Sequence, residues 1–359
     1  MRTYGYLAGA APLVAAMLVA CGSPPAPTPV AATPPPPKPL TDQDRVQRYQ
    51  ECWGYYNDKK FDQLKDCYDP SAAANQIGYG RGEMINGAGA IVATSEQFAR
   101  FSPDIRSDAQ LILVNGNHVA SIRVLSGTNS APMPGPDGKD LPATNRKFGV
   151  MFANVVEFAP KALKVVTEIG AMDSTTLVSQ LGMTKRKARA VATGSVASPE
   201  IVIAKNDDAE KLNLDAESMR VTAWNKHDAM GVQATLAADG VSHDITAAKD
   251  TDNKKLGEQL SSGYWKAFPD AKLVPTAVWA AGDYLVLSGH LEGTNDGAMP
   301  AIGVPRKTGK KISVTFVQID KFVNGKSQES WLFLDSGQIG AQLGILNIAL
   351  GNAKRSGSG

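Results

Sequence analysis

Few side chains in this 359-residue sequence can move protons near neutral pH. The four His are His118, His227, His243 and His290, and with three Cys they are too few and too scattered for a zinc-finger array. His243 sits on a short apolar segment after Asp239, where it could reach the mouth of a pocket. His290 lies three residues before Gly293, on the opposite strand parity to Asn295, and is expected to face the other side of the sheet. His227 falls in a turn between two helices and is read as solvated. His118 follows Asn115-Gly116 and is read as exposed. Each His is assigned a structural role first, with His243 and His290 kept as candidate bases. Gly303-Val-Pro-Arg-Lys-Thr-Gly309-Lys310-Lys311 is not a phosphate loop: it has five residues between the glycines and no Ser or Thr after the Lys. Asp250-Thr251-Asp252 lacks the Gly and Glu of a calcium loop. There is no Gly-X-Ser-X-Gly and no His-Glu-X-X-His, so triad hydrolysis and zinc proteolysis have no support. No metal and no cofactor is expected.

The elements that would position such residues follow from composition. The chain is 43% hydrophobic and 20% charged with a formal net charge of +2, which excludes a disordered chain and a nucleic-acid binder. Leu7 to Ala20 has the length of a signal-peptide core and is too short to span a bilayer. It runs into Leu18-Val19-Ala20-Cys21, which resembles a bacterial lipobox. That resemblance implies acylation of Cys21, a membrane anchor and a place in the cell envelope. Gly22 after it points to the outer membrane rather than the inner. Residues 1–20 are thus read as a signal peptide and 21–40, rich in Pro, as an extended tether. Cys52 and Cys67 would then lie outside the cytoplasm, on two candidate helices at Arg45–Tyr56 and Phe61–Tyr68. A disulfide is expected there, two buried free thiols being the alternative.

The rest of the sequence is written twice. Ser102-Pro103-Asp104 and Phe268-Pro269-Asp270 lie 166 residues apart. Gly116 and Gly282, Gly127-Thr128-Asn129 and Gly293-Thr294-Asn295, and Met133-Pro134 and Met299-Pro300 keep that offset. The copies end alike at Asp173-Ser174 and Asp335-Ser336. Each copy reads as helices followed by long alternating strands, an α+β pattern. In the second copy helices are expected at Ala209–Trp224, Asp228–Ala238 and Asp252–Ala267, with a short strand at Val241–Ile245. Long strands are expected at Lys272–Ala280, Tyr284–Gly293, Lys311–Val323 and Lys326–Leu334. The domains are therefore 41–183 and 209–351, with a tail at 352–359. Thr184–Asp208 joins the copies. Its run Lys185-Arg186-Lys187-Ala188-Arg189 is read as a solvated linker or helix end.

Ala267–Asp270, Gly282-Asp283, Gly293–Asn295, Thr308–Lys310, Asn324–Lys326, Trp331, Asp335 and Gln342–Gly344 together resemble the SnoaL-like polyketide cyclases. The resemblance implies two tandem cone-shaped α+β barrels, each with helices packed in a strongly bent antiparallel sheet. It also implies that the two pair as a pseudo-dimer. Catalytic members place a His after Gly-Thr and an Asp acid/base on the strand before Asn-Gly-Lys. Here Asn129 and Asn295 stand at the first place and Asn154 and Gln318 at the second, with Asp320 two residues on. Amides orient a ligand but do not titrate. These residues, with Trp331, are candidate pocket positions. Asp173 and Asp335 are read as caps of the segments that follow. The expectation is a monomeric, membrane-anchored lipoprotein whose domains bind a small apolar ligand or act as a scaffold. The alternative is an ester- or polyketide-cyclase-like lyase or isomerase in the second domain, with His243, His290 or Asp320 as base.

Overall fold

The structure, a computed structural model, describes residues 39–77, 84–134, 140–187, 189–194 and 198–345. The signal peptide, Cys21, most of the tether and the tail lie outside the described residues. The first copy runs α1 (Asp42–Asn57), α2 (Phe61–Lys65), β1 (Tyr68–Ile77), β2 (Met84–Asn86), α3 (Ala88–Phe101), β3 (Arg106–Asn115) and β4 (His118–Thr128). It continues through β5 (Met133–Pro134), β6 (Asp140–Leu141), β7 (Lys147–Phe158), β8 (Val165–Ala171) and α4 (Ser174–Gln180). After β9 (Glu200–Ile203), the second copy has α5 (Asp208–Asn225), α6 (Ala229–Ala234), β10 (Leu236–Asp244), β11 (Thr251–Asp252), α7 (Asn253–Gln259) and α8 (Trp265–Ala267). It ends with β12 (Lys272–Ala281), β13 (Tyr284–Thr294), β14 (Lys311–Val323), β15 (Lys326–Phe333) and α9 (Ser336–Leu343). The sheets are ordered β2-β1-β8-β7-β4-β3-β9 and β11-β10-β15-β14-β13-β12. Both are mixed α+β cones with curved, open sheets; neither closes into a barrel among the described residues.

Local chemistry explains most element ends. Thr41 and Asp44 form a capping box on α1, and Asp207 and Asp228 cap α5 and α6 through Glu210 N and Gly231 N. Asn324 and Gly325 both have positive φ (51° and 72°), as a tight hairpin between β14 and β15 requires. Two expected helices are shorter than their sequences suggest. Leu236, Ala237 and Ala238 begin β10 instead of ending α6, because Leu236 pairs with Ser327 in the parallel ladder with β15. Tertiary pairing here overrides the helical preference of Leu and Ala. Likewise α2 ends at Lys65, and Cys67 occupies the turn before β1, joined to Cys52 by a disulfide with Cα atoms 6.0 Å apart. The third expected helix of the second copy is broken by a π-turn at Leu260–Tyr264.

The central strands are apolar on both faces. One face of each sheet packs against its own helices. The other meets its counterpart from the second copy, with Leu111, Leu113, Ile122, Trp279, Val286, Ile319 and Phe333 in one shared cluster. The connecting segment is built into this assembly rather than free. Ile201 and Val202 pair with Ile112 and Leu113 of β3, making β9 a seventh strand. Ala192 N donates to Gly149 O at 2.8 Å, and a Cβ on Gly149 would meet Ala192 O at 2.0 Å, so only glycine admits the approach. His118, expected in solvent, stacks on Trp279 of the other copy at 6.2 Å.

Asp173 and Asp335 cap α4 and α9, and each also reaches across. Asp173 Oδ1 accepts from Ser336 N and Oγ at 2.9 and 2.7 Å. Asp335 Oδ1 accepts from Ser174 N and Oγ at 3.0 and 2.7 Å. Burial, then the charge of Asp173, lifts the Asp335 carboxyl to about 7. Its ionisation costs more in the folded chain than in the unfolded one. Its contribution to stability therefore declines as pH rises from about 4 to about 7. Asp335→Asn keeps the accepting oxygen. Urea unfolding at pH 4.5 and 7.5 should show the wild type losing on the order of 1–3 kcal/mol more than this variant. Equal pH slopes would mean that Asp335 ionises over the same pH range in the folded and unfolded chains.

Candidate functional site

The two copies differ most inside their cones. The second encloses a cavity of about 790 Å³, and the first only about 40 Å³. Helices α1 and α5 can be aligned through their last residues. Asn57 exchanges two hydrogen bonds with the backbone of Ser107, and Asn225 does the same with Leu273. By this register Tyr49, Cys52, Trp53 and Tyr56 stand where Glu217, Arg220, Val221 and Trp224 stand in the second copy. Trp53 fills the first cone. It makes edge contacts with Tyr56 at 5.1 Å and Phe152 at 5.9 Å, and the Arg123 guanidinium lies 4.0 Å from its ring centre. Arg123 pairs with Phe152 on the neighbouring strand. Gly289 takes its place opposite Phe316 in the second copy. Trp and Arg become Val and Gly, and the interior opens.

The walls of the second cavity are apolar, with Trp224, Leu260, Leu291, Phe316, Leu332 and Leu334 among them. Its deep end carries Glu217, Arg220 and Gln318. Glu217 and Arg220 lie three residues apart on one face of α5, and the Glu217 side chain is 2% exposed. Arg220 grips Asp320 of β14 with both terminal nitrogens, at 2.8 and 2.6 Å, and also meets Glu217 Oε2. Ser327 and Gln318 donate to the same Asp320 carboxylate at 2.6 and 2.7 Å. Asp320 is thus fully engaged and, despite burial, its carboxyl is held below the usual range by Arg220. Glu217 is the opposite case. Burial outweighs Arg220, and its carboxyl is lifted to about 7. Tyr264, on the π-turn, also lines the cavity. Its hydroxyl is buried and makes no hydrogen bond among the described residues.

The expected site residues separate. Gln318 lines the second cavity, and Asn154 the small first one. Asn154 Oδ1 accepts from Tyr49 and its Nδ2 donates to Glu168 at 2.6 Å, inside a saturated buried network. Asn129 and Asn295 do not line either cavity. Each accepts from the backbone N–H and hydroxyl of a Thr, Thr144 or Thr308, and donates to a carbonyl two residues on. They pin loops, which is why both copies keep them. Trp331 and His290 lie on the outer face, because alternate residues Ser330, Leu332 and Leu291 face inward. His290 Nδ1 sits 3.5 Å from Thr315 Oγ1, which accepts from Asn75 of the first copy. His243 stacks on Trp331 at 5.4 Å and binds Asp250 and Glu329 at 2.9 and 3.0 Å, at the cavity edge. His227 is not solvated: it stacks on Trp265 at 5.0 Å and meets Ala271 O.

Glu217, Arg220 and Tyr264 are absent from the sequence-based reading. Asp215-Ala-Glu-Ser-Met-Arg220 reads as an ordinary solvated helix face, yet Met219 is 60% exposed while Glu217 is buried. No group of metal-ligating side chains is present among the described residues.

The basic run between the copies also has a place. Arg186 donates to Ser336 Oγ, Ala301 O and Thr246 O, and Arg189 to Ala247 O, Asp244 O and Asp250. Thr246, Ala247, Asp250 and Ala301 line the cavity, as does Lys187. A segment of the connection thus straps the cavity's edge, and Arg186 and Arg189 are ordered rather than solvated. In Arg186→Ala/Arg189→Ala, amide exchange at residues 244–250 and 298–302 should accelerate about tenfold or more. Unchanged exchange would show that the strap carries no closing force.

No curated protein matches the chain. Among solved structures it is similar to AclR from Streptomyces galilaeus, at 25% identity over 38% of this chain and 97% of that one, with a TM-score of 0.32. It is also similar to IdmH from Streptomyces antibioticus, at 22% identity over 38% of this chain and 98% of that one, with a TM-score of 0.34. A third is a ketosteroid isomerase-like protein from Catenulispora acidiphila, at 14% identity over 36% and 93%, with a TM-score of 0.32. The sequence model of the SnoaL-like polyketide cyclases matches residues 43–181 and again 215–343. With two copies of that domain filling most of its length, the chain belongs to the SnoaL-like polyketide cyclase family.

Proposed function

We propose that this chain is a lipid-anchored envelope protein whose second domain binds a small, largely apolar ligand and whose first domain is a scaffold. The supporting observation is the contrast in interior volume, about 790 Å³ against about 40 Å³. The larger value falls in the range of about 300–1,000 Å³ typical of ligand sites. The first copy's polar groups are spent on one another, and its centre is occupied by Trp53. Anchoring rests on the sequence around Cys21, and Gly22 favours the outer membrane. No helix among the described residues is long and apolar enough to cross a membrane. The shared apolar face between the copies supports a monomer with its two domains paired internally.

A second reading, proton-transfer chemistry of the lyase or isomerase kind, has one observation in its favour. Glu217 is a carboxyl lifted to about 7 that shares an apolar chamber with the amide of Gln318. The bases considered first have less to offer. Asp320 is saturated, His243 is held at the cavity's edge by Asp250 and Glu329, and His290 belongs to the outer face.

Leu291→Trp, which places an indole in the cavity, should lower affinity for an apolar fluorescent probe at least about tenfold. Retained affinity would move binding elsewhere. Cys21→Ala should shift the protein from the membrane to the soluble fraction of its host. An unchanged distribution would overturn the anchor.

A further inference from the structure

The charge arithmetic at the cavity's deep end constrains what can bind there. Two carboxyl groups, Glu217 and Asp320, share one guanidinium, Arg220. Asp320 takes both terminal nitrogens of Arg220 and two further donors, Ser327 and Gln318, so it consumes the counter-charge. Glu217 keeps only Oε2 on Arg220. Its Oε1 has no protein hydrogen-bond partner among the described residues, although the side chain is 98% buried and lines the cavity. An ionised Glu217 therefore leaves one negative charge uncompensated inside an apolar chamber, a costly state unless a cation arrives. Independently, the Tyr264 hydroxyl, on a residue only 9% exposed, lines the same cavity without a hydrogen bond of its own.

Granted that the second-domain cavity holds a ligand, we infer that this ligand is an amphipathic amine, its protonated head docked on Glu217 Oε1 and its apolar body along the Leu and Phe walls. The ammonium supplies the missing positive charge and a donor in one group. A hydroxyl supplies only the donor, and a carboxylate adds a second uncompensated charge. Binding is then linked to pH. The charged groups facing Glu217 are Arg220 on its own helix and Asp320 on β14. The exposed Lys187, Lys249 and Asp250, with His243 and Asp244 beside Asp250, belong to the cavity's edge. Glu217 must be ionised to receive the amine, so affinity rises as pH climbs through its titration range and levels off above it.

Calorimetry of the purified protein with decylamine, decanol and decanoate at pH 6 and pH 8 tests this. The expected result is decylamine binding at least about tenfold tighter than decanol at pH 8, and about tenfold tighter at pH 8 than at pH 6. Glu217→Gln should erase both differences while decanol affinity persists. The wild-type comparison of head groups stands on its own if that variant fails to fold. Decanol binding as tightly as decylamine, or decanoate preferred to both, would overturn the amine and leave the cavity reading intact. In the second case the basic edge at Lys187 and Lys249 would be choosing the head group. Absence of binding by all three would overturn both.

Discussion

Packing the two sheets against each other through their outer faces is the constraint on which the rest of the molecule depends. A sheet alone can leave one face to water. Here β4 and β13 are buried on both faces, so neither copy can be stable in isolation without exposing Leu111, Ile122, Val286 and their neighbours. The contact places Asp173 beside Ser336 and Asp335 beside Ser174, each acid capping its own helix and its neighbour's. It also fixes where the connection between copies must run. β9 completes the first sheet, and the basic segment before it lies along the edge of the second cavity.

With the outer faces committed to each other, divergence is confined to the interiors. The first cone is filled by Trp53 and Arg123 and tied by Cys52–Cys67. Its polar residues, Tyr49, Tyr68, Asn154 and Glu168, satisfy one another. The second has Val221 and Gly289 at the matching places and stays hollow. Arg220 takes the position of Cys52, so a covalent tie in one copy is an ion cluster in the other. A disulfide asks nothing of its surroundings electrostatically. Arg123 in the first copy is held by the Trp53 ring and by Ser107, whereas Arg220 meets two carboxyl groups, Glu217 and Asp320, one more than its charge balances.

Much of this was legible in the residues. The doubled order of turn glycines, Pro-Asp pairs and closing Asp-Ser pairs carried the domain count and the α+β architecture, because turns and caps are local devices set by a few residues each. Asp228, Asp173 and Asp335 mark helix starts for the same reason. The sequence put Cys52 and Cys67 on neighbouring elements and left a pair of free thiols open; the structure joins them. Strand alternation put Gln318 and Asp320 on one inward face and His290 on the other side of the sheet. What alternation could not say is which polar residue faces the hollow and which is consumed by a neighbour. Asn295 and Gln318 look equivalent as amides; one holds a loop and the other lines a cavity.

The sequence by itself determined the two copies, their element order and their turns, since each depends on residues close together in the chain. Only the tertiary structure decided that one copy is filled and the other hollow, that Glu217 is buried while Met219 beside it is exposed, and that Arg186 and Arg189 strap the cavity. Those outcomes depend on what stands opposite each side chain, on segments up to 150 residues away. Glu217 owes its weakened acidity first to burial and then to the charge of Asp320, whose contact with Arg220 spans 100 residues.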